Sequence, residues 1–320
     1  MNSSTSSFKR SEWKVLAVVA LAFLVFETMA RVFAPTLDYD REHIHAFPEI
    51  VEEMDQDDHP RILVLGNSLL MHGVDEALLE KELVQATSGS CHVTKVTPVG
   101  TAIRDWTYLY DTYFTELDTH PDVVVIGFVA HHVPDQYELR MRRLTRHFCS
   151  LGNLGDCLRE EGRNFETRAL GALSHFSALY GDQPEWQWIV SPAVIPEFGR
   201  SVRRINRLLD DEAERRATMS NAPTPRTYLR LTRLMEAFRM HGVKAYCVPM
   251  PQPESWDLDP GAAEAISAQG ATLVDARAIP GMTQSDFLDG YHLGAPGRER
   301  FTRFLARALA DDFLRSEASP

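Results

Sequence analysis

Pro121-Asp122-Val123-Val124-Val125-Ile126-Gly127 is a β-branched apolar run closed by a proline on one side and a glycine on the other. A strand wetted on one face would alternate apolar and polar residues. This run does not alternate, so it predicts a strand buried on both faces, as in a parallel sheet covered by helices. Toward the amino terminus, Val93 to Val99 make a second strand-like run ended by Gly100, and Ile62 to Leu65 a third ended by Gly66. Toward the carboxyl terminus, Val243 to Met250 and Ala271 to Val274 supply two more.

Helical patterns fill the gaps. Val74, Leu78, Leu79 and Leu83 share a face; a Trp- and Tyr-rich helix is predicted from Ala102 to about Leu117; Tyr228, Leu231, Met235 and Phe238 share a face that Gly242 terminates. Ala262 to Ala268 is one more helix, and Pro296 to Leu314, with Phe301, Phe304, Leu305 and Ala308, closes the domain. Alternating strands and helices predict a three-layer α/β domain with a parallel sheet over residues 61–314, followed by a tail at 315–320. The stretch of about 147–221 breaks the rhythm and reads as an inserted helical cap, with helices at Glu166 to Tyr180 and Val202 to Ala217.

Residues 35–60 are acidic and proline-marked without apolar periodicity, which reads as a linker in which His43 and His45 are solvated. Before it, Lys9, Arg10 and Lys14 precede the apolar run Val15 to Phe26. Those residues alone rise about 18 Å as a helix, short of the roughly 30 Å hydrocarbon core. Extended over 13–34 the segment spans, with Glu27 and Arg31 able to pair on one helix face. The positive flank then predicts a cytoplasmic tail at 1–12 and a single-pass protein of the cell membrane, its main domain outside, periplasmic in a Gram-negative cell. The alternative is a signal peptide cleaved near Thr28-Met29-Ala30, which exports the domain equally.

The chain has 320 residues, 33 Lys and Arg against 45 Asp and Glu, and a formal charge of -12. That balance argues against a nucleic-acid partner. Of the four cysteines, Cys91 and Cys247 read as small packed hydrophobes, while Cys149 and Cys157 flank a short polar loop and are expected to pair in an oxidising compartment. No cysteine spacing suits a metal, adjacent His131 and His132 make a poor metal pair, and no cofactor is expected.

In open parallel sheets the site lies in loops beyond the carboxyl ends of the strands. After the first strand stands Gly66-Asn67-Ser68-Leu69, which places a serine hydroxyl on a tight turn at a helix start. Before the last helix stands Asp289-Gly290-Tyr291-His292, whose spacing lets the carboxylate hold one imidazole nitrogen and leave the other for a serine proton. Asp286 is an alternative orienting acid. Trp106, Tyr108 and Tyr110 are either helix packing or a sugar platform.

These two blocks resemble the SGNH hydrolase family, also called GDSL esterases or lipases, over roughly 61–145 and 228–314. The resemblance implies an SGNH/flavodoxin-like fold, with Ser68 as nucleophile, Asp289 as orienting acid and His292 as base. It implies an oxyanion hole from the Ser68 and Gly100 backbones, with His131 donating where relatives carry Asn, because Gly127-Phe128-Val129-Ala130 leads into His131-His132. Asn67 stands where the family usually has Asp. By the same resemblance, the expected activity is that of an exported serine esterase or O-acyltransferase. It would act through an acyl-enzyme on Ser68 upon an acyl ester, chiefly acetyl, of a cell-surface carbohydrate or on a small ester, with a membrane acyl-transfer or export partner in view. The competing expectation is a non-catalytic binding or assembly protein for surface polymer secretion.

Overall fold

The computed structural model describes residues 10–57, 59–87, 89–137, 139–183, 187, 191–192, 194–198 and 225–317. Two compact units divide the chain, one of residues 43–140, 148–157 and 222–320, the other of residues 1–42, 141–147 and 158–221.

The first unit holds the sheet. Its strands are β1 (Arg61–Leu65), β2 (His92–Val96), β3 (Val123–Phe128), β4 (Lys244–Pro249) and β5 (Thr272–Leu273), all parallel, in the order β2-β1-β3-β4-β5. Both faces are covered. Val64, Val125 and Tyr246 register across three strands and belong to a core with Leu79 and Leu83 of the helix Glu76–Thr87 and Phe301 and Leu305 of the helix Ala295–Glu317. The next row, Leu65, Ile126 and Cys247, faces the other way, where Cys247 Sγ meets Met235 Sδ of the helix Leu229–Met240 at 3.5 Å. Strand β5 is shorter than its apolar run suggests, but Val274 N and Ala276 N still donate to Cys247 O and Pro249 O beyond it. The order reverses at β1, which neighbours both β2 and β3, so their carboxyl ends form the topological switch point where such sheets bind ligands.

Residues expected as linker are structured. Helices Tyr39–His45 and Phe47–Asp55 occupy them, and Phe47, Val51 and Met54 are buried. Those three lie four and three residues apart, one helical stripe, which the surrounding Glu49, Glu52, Glu53 and Asp55 obscure in a linear reading. His43 is likewise engaged, its Nε2 accepting from the Thr97 N–H at 3.1 Å.

The expected bridge between Cys149 and Cys157 is not formed; neither takes part in a disulfide, and both are buried. Asn153 closes the loop instead, accepting from Ser150 N at 3.0 Å and donating to Asp111 Oδ2 at 2.9 Å. The other two cysteines are in no disulfide either, Cys247 fully buried and its thiol pushed up to about 12 by that burial.

In the second unit the helix Arg10–Phe33 makes up most of a 25-residue span, Glu12–Thr36, which holds an 18-residue window of mean hydropathy 2.1 and is long and apolar enough to cross a membrane. The predicted cap helix is broken at Ser177 into Phe165–Phe176 and Ala178–Gly181, and the helix expected at Val202 to Ala217 lies outside the described residues. Glu27 pairs with Arg31 at 2.8 Å. It also accepts from Ser177 Oγ, Ala178 N and Leu179 N, at 2.8, 2.7 and 3.2 Å, and so caps the second cap helix from a distant part of the chain. Glu27→Ala is expected to strip about 1–2 kcal/mol from this cap, read as a roughly tenfold faster hydrogen exchange at the Ala178 and Leu179 amides. Unchanged protection would disprove the contact.

Farther along the same unit, Arg41, His147 and Arg146 converge on Asp182, which is fully buried.

Candidate active site

At the end of β1 the chain turns through Gly66 and Asn67 into the helix Ser68–Gly73. Asn67 is extended, with its Oδ1 accepting from the Leu69 N–H at 3.0 Å and its Nδ2 donating to Thr101 O at 2.9 Å. The glycines explain how the helix sits so low. A Cβ on Gly66 would lie 2.8 Å from Leu70 Cδ1, and one on Gly127 in β3 would lie 2.5 Å from Leu70 Cγ. Their absence lets Leu70 pack against the sheet backbone, and Ser68 is left half-buried at the carboxyl end of β1.

The second turn follows β2. Thr101 Oγ1 donates to Gly66 O at 3.1 Å, and Trp106 Nε1 donates to the same oxygen at 3.0 Å, which ties this turn onto the first. Gly100 has φ +65°, a left-handed conformation that suits glycine. Among the described residues, neither the Ser68 N–H nor the Gly100 N–H has an acceptor. Trp106, Tyr108 and Tyr110 are buried, and Tyr110 meets Phe238 edge-on at 4.6 Å, so these aromatics pack the domain and form no exposed platform.

The third piece is the loop before the final helix. Asp289 Oδ1 accepts from Tyr291 N and His292 N at 3.0 and 2.8 Å, a turn that Gly290 permits with φ +79°. Its Oδ2 is 2.8 Å from His292 Nδ1, and His292 Nε2 is 2.9 Å from Ser68 Oγ. An ionised carboxylate only accepts, so the imidazole proton sits on Nδ1 and Nε2 is the acceptor for the serine hydroxyl. The Asp289 carboxyl is held far below the usual carboxylate range, first by the His292 backbone N–H and then by its ring. Asp286 is occupied elsewhere, accepting from Thr283 N at 2.8 Å and pairing with Arg300 at 3.3 Å.

No family model matches the chain, and no curated protein matches it. Solved structures do. The chain is similar to a lipase/acylhydrolase from Enterococcus faecalis (13% identity, 79% of this chain and 96% of that chain, TM-score 0.42). It is similar also to an acetylxylan esterase from Geobacillus stearothermophilus (10% identity, 79% and 95%, TM-score 0.38). A third is an α/β hydrolase enzyme from the metagenome of Lake Arreo, Spain (12% identity, 80% and 97%, TM-score 0.38). What the site can do rests on its own geometry.

That geometry separates the two adjacent histidines. His131 is exposed, its ring stacked on Tyr137 at 5.9 Å, and it forms no hydrogen bond among the described residues. His132 is buried against the Asn67 turn, with Asn67 Nδ2 at 3.3 Å and the Val129 N–H donating to its Nδ1 at 3.3 Å. Burial first, and then the neighbouring His131, pushes His132 down to about 3, so it stays a neutral acceptor.

His72 is a further residue that sequence reasoning passed over. Four positions after Ser68 on the same helix face, its ring lies 5.0 Å from that of His292. Burial, and next the proximity of His292, lower its basicity. Tyr291 also lines this side, its ring edge-on to His292 at 5.0 Å and its phenol pushed up to about 12 by burial.

Proposed function

We propose that this chain is an anchored, exported serine esterase or O-acyltransferase of SGNH type, acting on an acyl, chiefly acetyl, ester of a carbohydrate. The observation that carries the reading is the continuous hydrogen-bonded chain from Ser68 Oγ through His292 to Asp289. Ser68 Oγ attacks the ester carbonyl carbon while His292 Nε2 takes the hydroxyl proton. The carbonyl π electrons move to oxygen, and the Ser68 and Gly100 N–H groups, with the His131 ring, receive the oxyanion. Collapse breaks the carbon–oxygen bond to the leaving alcohol, which takes the proton from His292. Water, or a sugar hydroxyl in a transferase, then attacks the acyl carbon while His292 takes its proton, and the acyl–Oγ bond breaks as His292 returns that proton to Ser68.

A fluorophosphonate probe applied to the full chain in detergent tests the nucleophile. Labelling at Ser68 that disappears in Ser68→Ala supports the reading, and an unlabelled wild type refutes it. The second reading, a binding or assembly protein for surface polymer export, draws on the His131-His132 pair standing where an Asn-containing block is usual. Under it, Ser68→Ala would still complement a deletion in the cell.

The two histidines give separable readouts. His131→Ala should cut turnover about 10²-fold and move stability by less than about 0.5 kcal/mol. His132→Ala leaves Asn67 Nδ2 and the Val129 N–H without that acceptor in a buried site, and should cost about 1–3 kcal/mol of stability. Thermal melts beside steady-state kinetics check both; equal melting losses in the two variants would contradict the division.

A further inference from the structure

We propose that the ester substrate of this site carries a carboxylate, as an acidic sugar does, and that Arg140 binds it. This rests on the serine-ester reading above and names the substrate class for it. A Cβ placed on Gly100 would lie 3.2 Å from Arg140 Nη1 and 3.7 Å from both Cζ and Nη2, so the guanidinium lies across the Gly100 turn. That turn is bonded to the nucleophile turn through Thr101, by Thr101 Oγ1 to Gly66 O at 3.1 Å and Asn67 Nδ2 to Thr101 O at 2.9 Å. Arg140 therefore lies on the turn that is hydrogen-bonded to the Ser68 turn.

Arg140 is exposed, and among the described residues nothing accepts a hydrogen bond from it or pairs with it. Asp135, a few residues before it, and Asp289 of the Ser68 site are committed. Asp135 pairs with Arg230 at 3.4 Å and accepts from Leu229 N and Arg230 N, while Asp289 accepts from Tyr291 N, His292 N and His292 Nδ1. Arg104 donates to Asp135 O. In a chain of formal charge -12, an arginine across the Gly100 turn that no described carboxylate pairs with is available for one from outside. The guanidinium fork matches a carboxylate through two parallel N–H donations, which gives orientation as well as attraction.

The experiment uses the full chain in nanodiscs, as wild type, Arg140→Gln and Arg140→Lys. Two readouts are taken: direct binding of an unacetylated hexuronate oligosaccharide, a neutral oligosaccharide of equal length and inorganic phosphate; and kcat and KM on the acetylated forms of the two sugars. Wild type should bind the hexuronate in preference to the neutral sugar and to phosphate. Arg140→Gln should weaken hexuronate binding roughly 10- to 100-fold, the worth of one charge-assisted contact. The loss on the acetylated hexuronate should appear in KM, the neutral sugar should change less than about twofold, and Arg140→Lys should recover part of the difference. The hexuronate advantage should shrink as salt rises from about 0.05 to about 0.5 M. Equal losses on both sugars would assign Arg140 to general structure or to the oxyanion and overturn the proposal, as would hexuronate binding untouched by Arg140→Gln or matched by phosphate. A chain that binds hexuronate through Arg140 yet turns over neither ester would sink the esterase reading and leave the carboxylate site standing.

Discussion

Ser68→Ala and His292→Ala are each expected to remove nearly all turnover, about 10⁴- to 10⁶-fold in kcat, with the double variant hardly slower than either single one. The reason is that one proton is shared. With Ser68 Oγ 2.9 Å from His292 Nε2, the hydroxyl is a competent nucleophile only if the imidazole can accept its proton, so deleting either partner cancels the contribution of the other. Losses that multiply would mean that the two residues act independently, contrary to the proposed mechanism. Initial-rate measurements on an acetyl ester, with circular dichroism to confirm folding, decide between these outcomes. Asp289→Asn belongs to the same experiment. The amide can turn its NH₂ toward His292 Nδ1, which then becomes the acceptor and leaves the proton on Nε2, where it blocks the serine; a loss of about 10⁴-fold follows with little change in fold.

Much of the sheet was legible in the sequence because its strands are buried on both faces. Residues 123 to 126 are apolar at every position, and in the structure their two rows feed two separate cores. The helices at 39–55 were hidden because only one narrow stripe, Phe47, Val51 and Met54, is apolar, and the acidic residues between them resemble a solvated tether. Single-residue direction is also invisible to a linear reading. His131 and His132 are equivalent as letters, yet the turn after β3 sends one outward to Tyr137 and the other against Asn67. The Ser68 and His292 blocks could be placed at strand ends, but their distance apart could not be read. They are 224 residues apart in the chain, and it is the registered β1–β3 pair and the helix Ala295–Glu317 that fix where each turn emerges. His72 did leave a signal, since a residue four after a helical serine must share its face.

The unit that contains the apolar amino-terminal helix should be the acid-labile part of the molecule. Arg41, His147 and Asp182 are 3%, 7% and 0% exposed, and Arg41 Nη1 and His147 Nε2 lie 2.5 and 3.0 Å from the same carboxylate oxygen. Asp182→Ala leaves a buried guanidinium without its counter-charge, with Arg146 also beside the gap, and is expected to cost about 3–5 kcal/mol. The wild type offers a test that needs no variant to fold. Burial pushes His147 down to about 4 from an ordinary 6.5, against the hydrogen bond to Asp182 that works the other way. The unfolded chain therefore binds the proton more readily, and this group's contribution is full above about 6.5 and lost as pH falls toward about 4. Burial works to raise Asp182, but the His147 hydrogen bond and the charges of His147, Arg41 and Arg146 outweigh it and hold it at about 2. Its contribution is present above the ordinary 3.8 and fades as pH falls toward about 2, so the two losses follow one another down the acid range. Thermal unfolding followed from pH 7 to 4 should show the first loss, and His147→Gln should flatten it. A wild-type melting temperature that holds steady across that range would show that His147 is not buried neutral and that the cluster is wrongly drawn.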